Sequence, residues 1–89
     1  MLTLTDSAAA MIARLREQSG ASGDVALRIA KPFDTPGLQM TLAEHPDPDD
    51  LVLDDPRARV FLDPVAAVRL NDQVLDARSS ESGSAFFLG

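Results

Sequence analysis

Apolar residues recur at two different periods along the chain, and the change of period divides it into a helix followed by strands. In the first part they recur at helical spacing, at Ala8, Met11, Ile12 and Leu15. Thr5 is a favourable N-cap residue, and Gly20 is a favourable helix stop that leads into a flexible link over 21–23. The pattern predicts a helix over 6–19, preceded by a short strand over 2–4.

After residue 24 the period becomes two, which is the period of a half-buried strand. Alternating apolar residues predict one strand around Leu27 and another around Met40, and the turn-rich loop 32–37 between them favours antiparallel pairing. Further short strands are predicted over 51–53, 60–62, 74–75 and 85–88. Residues 65–69 can form one helical turn, with Asp63 as its cap and Pro64 at its first position, and 79–84 is predicted to be loop.

These elements predict an α+β domain, in which one N-terminal helix packs on a small, mainly antiparallel β-sandwich that spans 1–89. The apolar positions at the right period form the expected core. They are Leu4, Met11, Ile12, Leu15, Leu27, Ile29, Met40, Leu42, Val52, Val60, Leu62, Leu70, Leu75 and Phe87.

Composition then excludes several kinds of chemistry. The chain has no cysteine, no tryptophan, no tyrosine and one histidine, His45. Thiol nucleophiles, disulfides and thiolate-ligated zinc or iron–sulfur centres are therefore excluded. A net charge of −6 argues against binding nucleic acid or an anionic membrane. No apolar run approaches the roughly 20 residues of a membrane helix, and the N-terminus does not have a signal-peptide pattern. The cytoplasm is the expected compartment.

The densest cluster of polar groups is the acidic run 44–50, which also contains His45. Its oxygen atoms could in principle hold a hard cation such as Ca²⁺. The run lacks the order of acidic residues and the glycine of a calcium-binding loop, so a solvated acidic turn is the favoured interpretation. A lone histidine in such a loop is expected to be exposed.

Other groups are weaker candidates for catalysis. The carboxylate pairs Asp49–Asp50 and Asp54–Asp55 could share a proton, but both lie in predicted turns, where aspartate is favoured for local hydrogen bonds. Ser7 and Ser79–Ser80 have no histidine nearby in the sequence, and the five glycines do not form a phosphate loop. We expect a protein that is not an enzyme, and we assign no catalytic, cofactor-binding or metal-ligating residues.

The stretch from Val60 to Asp76 resembles the HesB-like family, the A-type iron–sulfur cluster carriers. Members of this family read roughly V-x-V-D-x-x-S-x-x-x-L-x-G-x-x-x-D, and Asp63, Leu70 and Asp76 fall at matching intervals. Shorter matches extend the resemblance over nearly the whole chain. They are Leu2-Thr3-Leu4-Thr5-Asp6-Ser7-Ala8-Ala9 to I-x-L-T-x-x-A, Leu27-Arg28-Ile29 to L-R-(I/L/V), and Ser84-Ala85-Phe86-Phe87 to G-F-x-F.

The resemblance implies a lost function, because the chemistry of the family rests on three cysteines. The central C-x-G motif reads Thr35-Pro36-Gly37 here, in a loop about one residue shorter than usual. The C-G-C tail is expected to be absent, since the sequence ends at Gly89, and Ala66 stands in place of the family's serine. A threonine hydroxyl is a poor iron ligand at neutral pH.

We therefore expect a non-catalytic HesB-like protein without a cofactor that acts as an accessory or partner-binding domain, with iron–sulfur assembly proteins as its partners. Two alternatives remain: an interaction module unrelated to iron and, less favoured, an iron carrier that uses oxygen ligands and His45. We expect a monomer or a weak homodimer, and any dimer should use apolar sheet surface near Phe33, Leu38 and Phe86.

Overall fold

The computed structural model describes residues 1–20, 25–81 and 83–89, so the predicted link over 21–23 lies outside the described residues. The described residues form two helices and seven strands. They are β1 (Thr3–Leu4), α1 (Asp6–Gln18), β2 (Ala26–Ala30), β3 (Gln39–Ala43), β4 (Leu51–Asp54), β5 (Arg59–Leu62), α2 (Pro64–Arg69), β6 (Val74–Ser80) and β7 (Gly83–Leu88). None of the described helices is long and apolar enough to cross a membrane.

Both helices begin where the sequence predicts. The Thr5 hydroxyl accepts a hydrogen bond from the Ala8 N–H at 3.1 Å and caps α1. The Asp63 carboxylate accepts one from the Ala66 N–H at 2.7 Å and caps α2, with Pro64 in the first turn. After α1 the backbone turns at Gly20, whose φ of 70° is a conformation that glycine adopts at no steric cost.

The strands form a three-stranded sheet of order β1-β6-β7 and a four-stranded sheet of order β3-β2-β5-β4. The predicted antiparallel pairing of β2 with β3 is confirmed, and β4–β5 and β6–β7 are antiparallel as well. Two pairings, β1–β6 and β2–β5, are parallel. The predicted loop over 79–84 is wrong in most of its length, because β6 runs to Ser80 and β7 begins at Gly83.

The core lies between α1 and one face of each sheet. Most of the predicted core residues are buried there, and Leu15 and Met40 pack at its margin. Three predictions of burial are wrong, since Leu42, Val52 and Phe87 are exposed. Leu42 and Val52 lie on the edge strands β3 and β4, and Phe87 is opposite Asp76 on the outer face of β7. These edge positions and the outer face of β7 lack a second layer that would cover them.

Candidate functional site

The acidic run crosses one face of the four-stranded sheet. β3 and β4 are the two edges of that sheet, so the residues 44–50 that join them must pass over β2 and β5. Leu27 and Ile29 of β2 face the core, and Arg28 between them therefore points to the opposite, outer face. Because the segment contacts Arg28, it crosses on this outer face, and we call it the strap.

Arg28 fastens the strap to the sheet through a bidentate ion pair. Its Nε and Nη2 donate to the two oxygens of Asp50 at 2.9 and 3.0 Å, and Nη2 also donates to Asp47 at 2.8 Å. The Asp47 N–H donates to the same Asp50 carboxylate at 3.0 Å. The Asp50 side chain is only 1% exposed, so this carboxylate has been taken out of water and paired.

The ion pair shifts the titration of both partners. The hydrogen bond from Arg28 lowers the pKa of Asp50, helped by the Asp47 N–H and by the positive charge, while burial opposes the shift. The hydrogen bond to Asp50 raises the pKa of Arg28 above its ordinary value. Both groups are therefore charged at neutral pH.

Beneath the strap lies Phe61, a residue that the sequence analysis left out of the core. It is opposite Arg28 on the neighbouring strand and is 1% exposed, although it faces away from the main core cluster. The signal that could have found it is the unbroken apolar run 60–62, which is typical of a strand covered on both faces. Arg28 lies opposite Phe61 and the strap crosses the same face, so the topology provides these two as the second cover.

The interpretation of 44–50 as a solvated turn is therefore only partly right. Glu44, His45 and Asp49 are exposed as expected, whereas Asp47 and Asp50 neutralise Arg28. Across residues 1–20, 25–81 and 83–89, no three His, Asp or Glu side chains form a group that could hold a metal ion.

The second carboxylate pair, Asp54–Asp55, is divided between two arginines. Arg57 donates to Asp55 from Nε and Nη2, each at 3.1 Å, and these bonds lower the pKa of Asp55. The same guanidinium contacts Asp6 at the start of α1 and donates to the Leu4 carbonyl at 3.1 Å. Asp54 lies 3.6 Å from Arg59. This pair is thus arranged to link β4 and β5 to the N-terminal elements rather than to share a proton.

The candidate serines are at two separate places. Ser7 lies in the first turn of α1, and the Ser79 hydroxyl lies 3.2 Å from that of Ser84 across the β6–β7 hairpin. The Ser80 hydroxyl donates to the Gly83 carbonyl at 3.2 Å. These contacts close the hairpin.

The loop 31–38 contains Thr35, which the resemblance to the HesB-like family places at the first cysteine of that family. Asp63 holds its first residue by accepting from the Lys31 N–H at 2.9 Å. Arg69 of α2 donates to the Pro36 carbonyl at 3.1 Å near its other end. Between these anchors the Thr35 hydroxyl is 3.4 Å from the Gly37 carbonyl, and the Phe33 side chain is fully exposed. The loop is held against α2 and presents an aromatic ring to solvent.

Solved structures match the chain over almost its whole length, and three of them are described here. A crystal structure of IscA with a [2Fe–2S] cluster is 26% identical with a TM-score of 0.75, covering 100% of this chain and 84% of that one. The crystal structure of Escherichia coli SufA, which is involved in the biosynthesis of iron–sulfur clusters, is 22% identical with a TM-score of 0.79, covering 99% and 83%.

A protein from Aquifex aeolicus, solved in solution by NMR, is 22% identical with a TM-score of 0.77, covering 99% and 89%. The 89-residue chain therefore has the A-type carrier fold. A scan against protein-family models and a search of curated proteins gave no match.

The aspartates of the HesB-like pattern have structural roles in this A-type carrier fold. Asp63 caps α2 and also holds the loop at Lys31. Asp76 accepts from the Thr5 hydroxyl and from the Ala77 N–H, each at 2.8 Å, and the Thr5 bond lowers its pKa. Asp72 stands at the pattern's glycine and has a φ of 65°, the left-handed conformation that favours glycine. The residues of the pattern therefore lie at the junction of β5 with α2, at the turn between α2 and β6, and in β6 itself.

The residues present do not fit an iron–sulfur cluster. Cluster irons in proteins are held mainly by cysteine thiolates, and this sequence contains none. The Thr35 hydroxyl offers a neutral oxygen, and its nearest polar contact is the carbonyl of its own loop. The loop 31–38 is thus held in place by Asp63 and Arg69 and offers hydroxyl and carbonyl oxygens but no thiolate.

Proposed function

We propose that this protein is a non-catalytic member of the A-type carrier fold that serves iron–sulfur biogenesis as an accessory or partner-binding protein and does not carry a cluster. The observation that supports this most is the match to IscA over 100% of the chain by a sequence without cysteine. The carrier fold is kept, whereas the thiolate ligands are not.

The support for partner binding comes from the surface of the loop 31–38. Its two ends are anchored through Asp63 and Arg69, so the loop holds one position relative to α2. It presents the fully exposed Phe33, while Val65 and Val68 of α2 are exposed as well. Exposed apolar side chains on a fixed scaffold are suited to recognise a protein partner.

Affinity capture from the cytosol of the source organism tests the proposal. The bait is the intact protein, and the matched control is Phe33→Ser, which removes the exposed ring without touching a buried residue. We expect iron–sulfur assembly proteins to be enriched on the wild-type bait and reduced on the control. If the captured proteins have no tie to iron, the chain is instead an interaction module unrelated to cluster assembly.

A reconstitution experiment separates this proposal from an iron carrier with oxygen ligands. We expect the wild-type protein to stay colourless after anaerobic incubation with Fe²⁺ and sulfide, because its two best-placed carboxylates already bind Arg28. Thr35→Cys is a control for the effect of one thiolate at the family position. A stable visible absorption in the wild type that disappears in His45→Ala or Asp47→Asn would support the carrier instead.

A further inference from the structure

Two cations lie at the ends of the loop 31–38, Lys31 within the loop and Arg69 on the adjacent α2. The Lys31 Nζ donates to the Pro32 carbonyl at 3.2 Å, and the Arg69 Nη1 donates to the Pro36 carbonyl at 3.1 Å. A carbonyl oxygen carries no net charge, so these bonds fix the positions of the two cations without neutralising them.

Three arginines elsewhere in the fold are neutralised by aspartates. Arg28, Arg57 and Arg59 each form an ion pair with an aspartate. In the described part of the chain Lys31 and Arg69 have no such partner, although the sequence has 14 Asp and Glu residues for 8 Lys and Arg residues. These two fixed charges are therefore available to a carboxylate of another molecule.

Exposed apolar side chains accompany the two cations. Phe33 of the loop is fully exposed, and Val65 and Val68 of α2 are exposed as well. Partner surfaces are usually complementary in charge as well as in apolar contact. A surface that combines apolar side chains with two unneutralised cations is therefore complementary to a segment that combines apolar residues with carboxylates.

Two carboxylates belong to the same elements. That of Asp63 is half-buried and accepts the N–H groups of Lys31 and Ala66, so it is already engaged within the fold. That of Asp34 is exposed in the loop and should repel an acidic segment. Removal of the charge of Asp34 should thus strengthen the binding of such a segment.

The length of α2 sets the distance that a bound segment must cover. Lys31 is held at the start of this helix by Asp63, and Arg69 is the last residue of the helix. The six residues of α2 rise about 1.5 Å each, or about 9 Å along the helix axis. An extended chain covers this distance with about three residues, at about 3.3 Å each. A short linear segment is therefore long enough to reach both cations.

We propose that the loop 31–38 and α2 bind an acidic, extended segment of a protein partner. Two carboxylates of the segment pair with Lys31 and Arg69, and an apolar side chain between them packs on Phe33. The inference rests on the partner binding proposed above and specifies the chemistry of the partner. Since the chain as a whole has a net charge of −6, the rest of its surface should repel such a segment and confine it to this site.

Peptide selection tests the chemistry of the segment without any iron–sulfur assembly protein. A phage-displayed library of short random peptides is selected on the wild-type protein and, in parallel, on Phe33→Ser. We expect the wild-type selection to be enriched at least about twofold in Asp and Glu relative to the library, together with apolar residues, and the Phe33→Ser selection to lack this enrichment. Enrichment in Lys and Arg, or no enrichment that depends on Phe33, overturns the proposal.

Charge variants then test the two cations with a selected acidic peptide. Fluorescence anisotropy should show that Lys31→Gln and Arg69→Gln each raise the Kd roughly two- to fivefold, the effect of one exposed ion pair. Asp34→Asn should lower the Kd. Arg14→Gln removes one positive charge from α1, outside the loop and α2, and should leave the Kd unchanged. An equal effect of Arg14→Gln would show that only the net charge matters and would overturn the proposal.

A conservative variant separates charge from loop position, because Arg69 also holds the loop. Arg69→Lys keeps the positive charge and should bind the peptide better than Arg69→Gln, with circular dichroism showing that both are folded. Equal Kd values for these two variants overturn the role of the charge. The peptide measurements and the capture of assembly proteins use different binding partners, so either can fail while the other succeeds.

A second copy of the chain is the alternative occupant of this surface. Light scattering over a wide range of protein concentration distinguishes the two occupants. We expect the same mass for the wild type and for Phe33→Ser at every concentration. A wild-type dimer that Phe33→Ser dissociates would show that a second copy covers the surface, and it would overturn the proposal.

Discussion

The two faces of the four-stranded sheet are both buried at their centre, but by different means. On the inner face Val60 and Leu62 of β5 pack in the core with α1 and the second sheet. On the outer face Phe61, between them in sequence, is covered by the strap that Arg28 fastens through Asp50. One face is covered by regular elements and the other by seven residues without helix or strand.

Because of this difference, different interactions keep each face of the sheet buried. Burial on the inner face rests on many apolar contacts, none of which is individually essential to the position of an element. Cover on the outer face rests on a few charged hydrogen bonds at one end of the strap. The inner face should therefore respond to lost volume, and the outer face to lost charge and to pH.

The largest expected effect is on the inner face. Leu62 is fully buried at the centre of the core, so Leu62→Ala should lower the free energy of unfolding by about 2–5 kcal/mol through lost transfer energy and a residual cavity. Urea unfolding followed by circular dichroism measures it. Val52→Ala, at an exposed edge position of the outer face, is the control and should cost below about 1 kcal/mol. Equal losses at both positions would contradict the difference between the faces.

The inner face could be predicted from the sequence because alternation is a local pattern. Leu27, Ile29, Val60 and Leu62 are all found where their period places them. The outer face could not be predicted, because its cover depends on β3 and β4 lying at opposite edges of the sheet. The order of strands in a sheet cannot be deduced from any short segment of the sequence. The same limit explains why the parallel pairings β1–β6 and β2–β5 were missed.

The candidate site shows a similar division. The caps at Thr5 and Asp63 could be predicted from residue type and spacing, whereas the missing cysteine at Thr35 is implied by the family resemblance alone. The partners of the acidic residues were not, since Arg28 is 22 residues from Asp50 in sequence. An acidic run is solvated or paired according to which cation the fold brings beneath it.

The next largest effect is expected on the outer face. Asp50→Asn removes the negative charge from a buried bidentate pair, and a hydrogen bond to a charged group is worth about 1.5–3 kcal/mol. We expect a loss of that size in urea unfolding, together with faster amide hydrogen exchange within the strap. In the double variant Arg28→Met/Asp50→Asn the loss should be smaller than the sum of the single losses, because neither partner is left alone. Additive losses would show that the ion pair does not fasten the strap.

The pH dependence of stability provides a separate test of the same pair. The pKa of Asp50 is lower in the folded protein than in the unfolded chain, where it is near 4. Asp50 therefore contributes fully to the free energy of unfolding above the unfolded pKa, and this contribution is lost as the pH falls through the folded pKa. The stability difference between wild type and Asp50→Asn should therefore be constant from pH 7 to about 5 and shrink below about 4. Asp55 and Asp76 also have lowered pKa values, but they titrate in both proteins and cancel in the difference. A difference that does not shrink at all between pH 4 and pH 2 would mean that the asparagine acts through packing.

A smaller effect is expected at Thr5, where α1 begins its packing on the inner face. Thr5→Ala should cost about 1 kcal/mol through loss of the cap to Ala8. From the sequence alone Thr5→Asp is expected to be nearly neutral, since either side chain can cap. The structure changes that expectation, because Thr5 also donates to Asp76 and a second carboxylate there would repel it. Thermal unfolding should therefore rank Thr5→Ser nearest to wild type and Thr5→Asp below it. A neutral Thr5→Asp would show that the bond to Asp76 contributes nothing.

The smallest effect is expected at Asp47, the second carboxylate that Arg28 contacts. Its side chain is 68% exposed, so the ion pair to Arg28 at 2.8 Å is screened by water and salt and should contribute less than about 1 kcal/mol. Asp47→Asn also keeps the backbone N–H that donates to Asp50, and the strap should remain fastened. We expect urea unfolding to give a free energy close to that of wild type, with the small difference disappearing in 1 M salt. The contrast with Asp50→Asn compares two carboxylates on one arginine that differ mainly in burial. If Asp47→Asn were as damaging as Asp50→Asn, the strap would be held by the net charge of the run, and the buried bidentate geometry would not be what fastens the outer face.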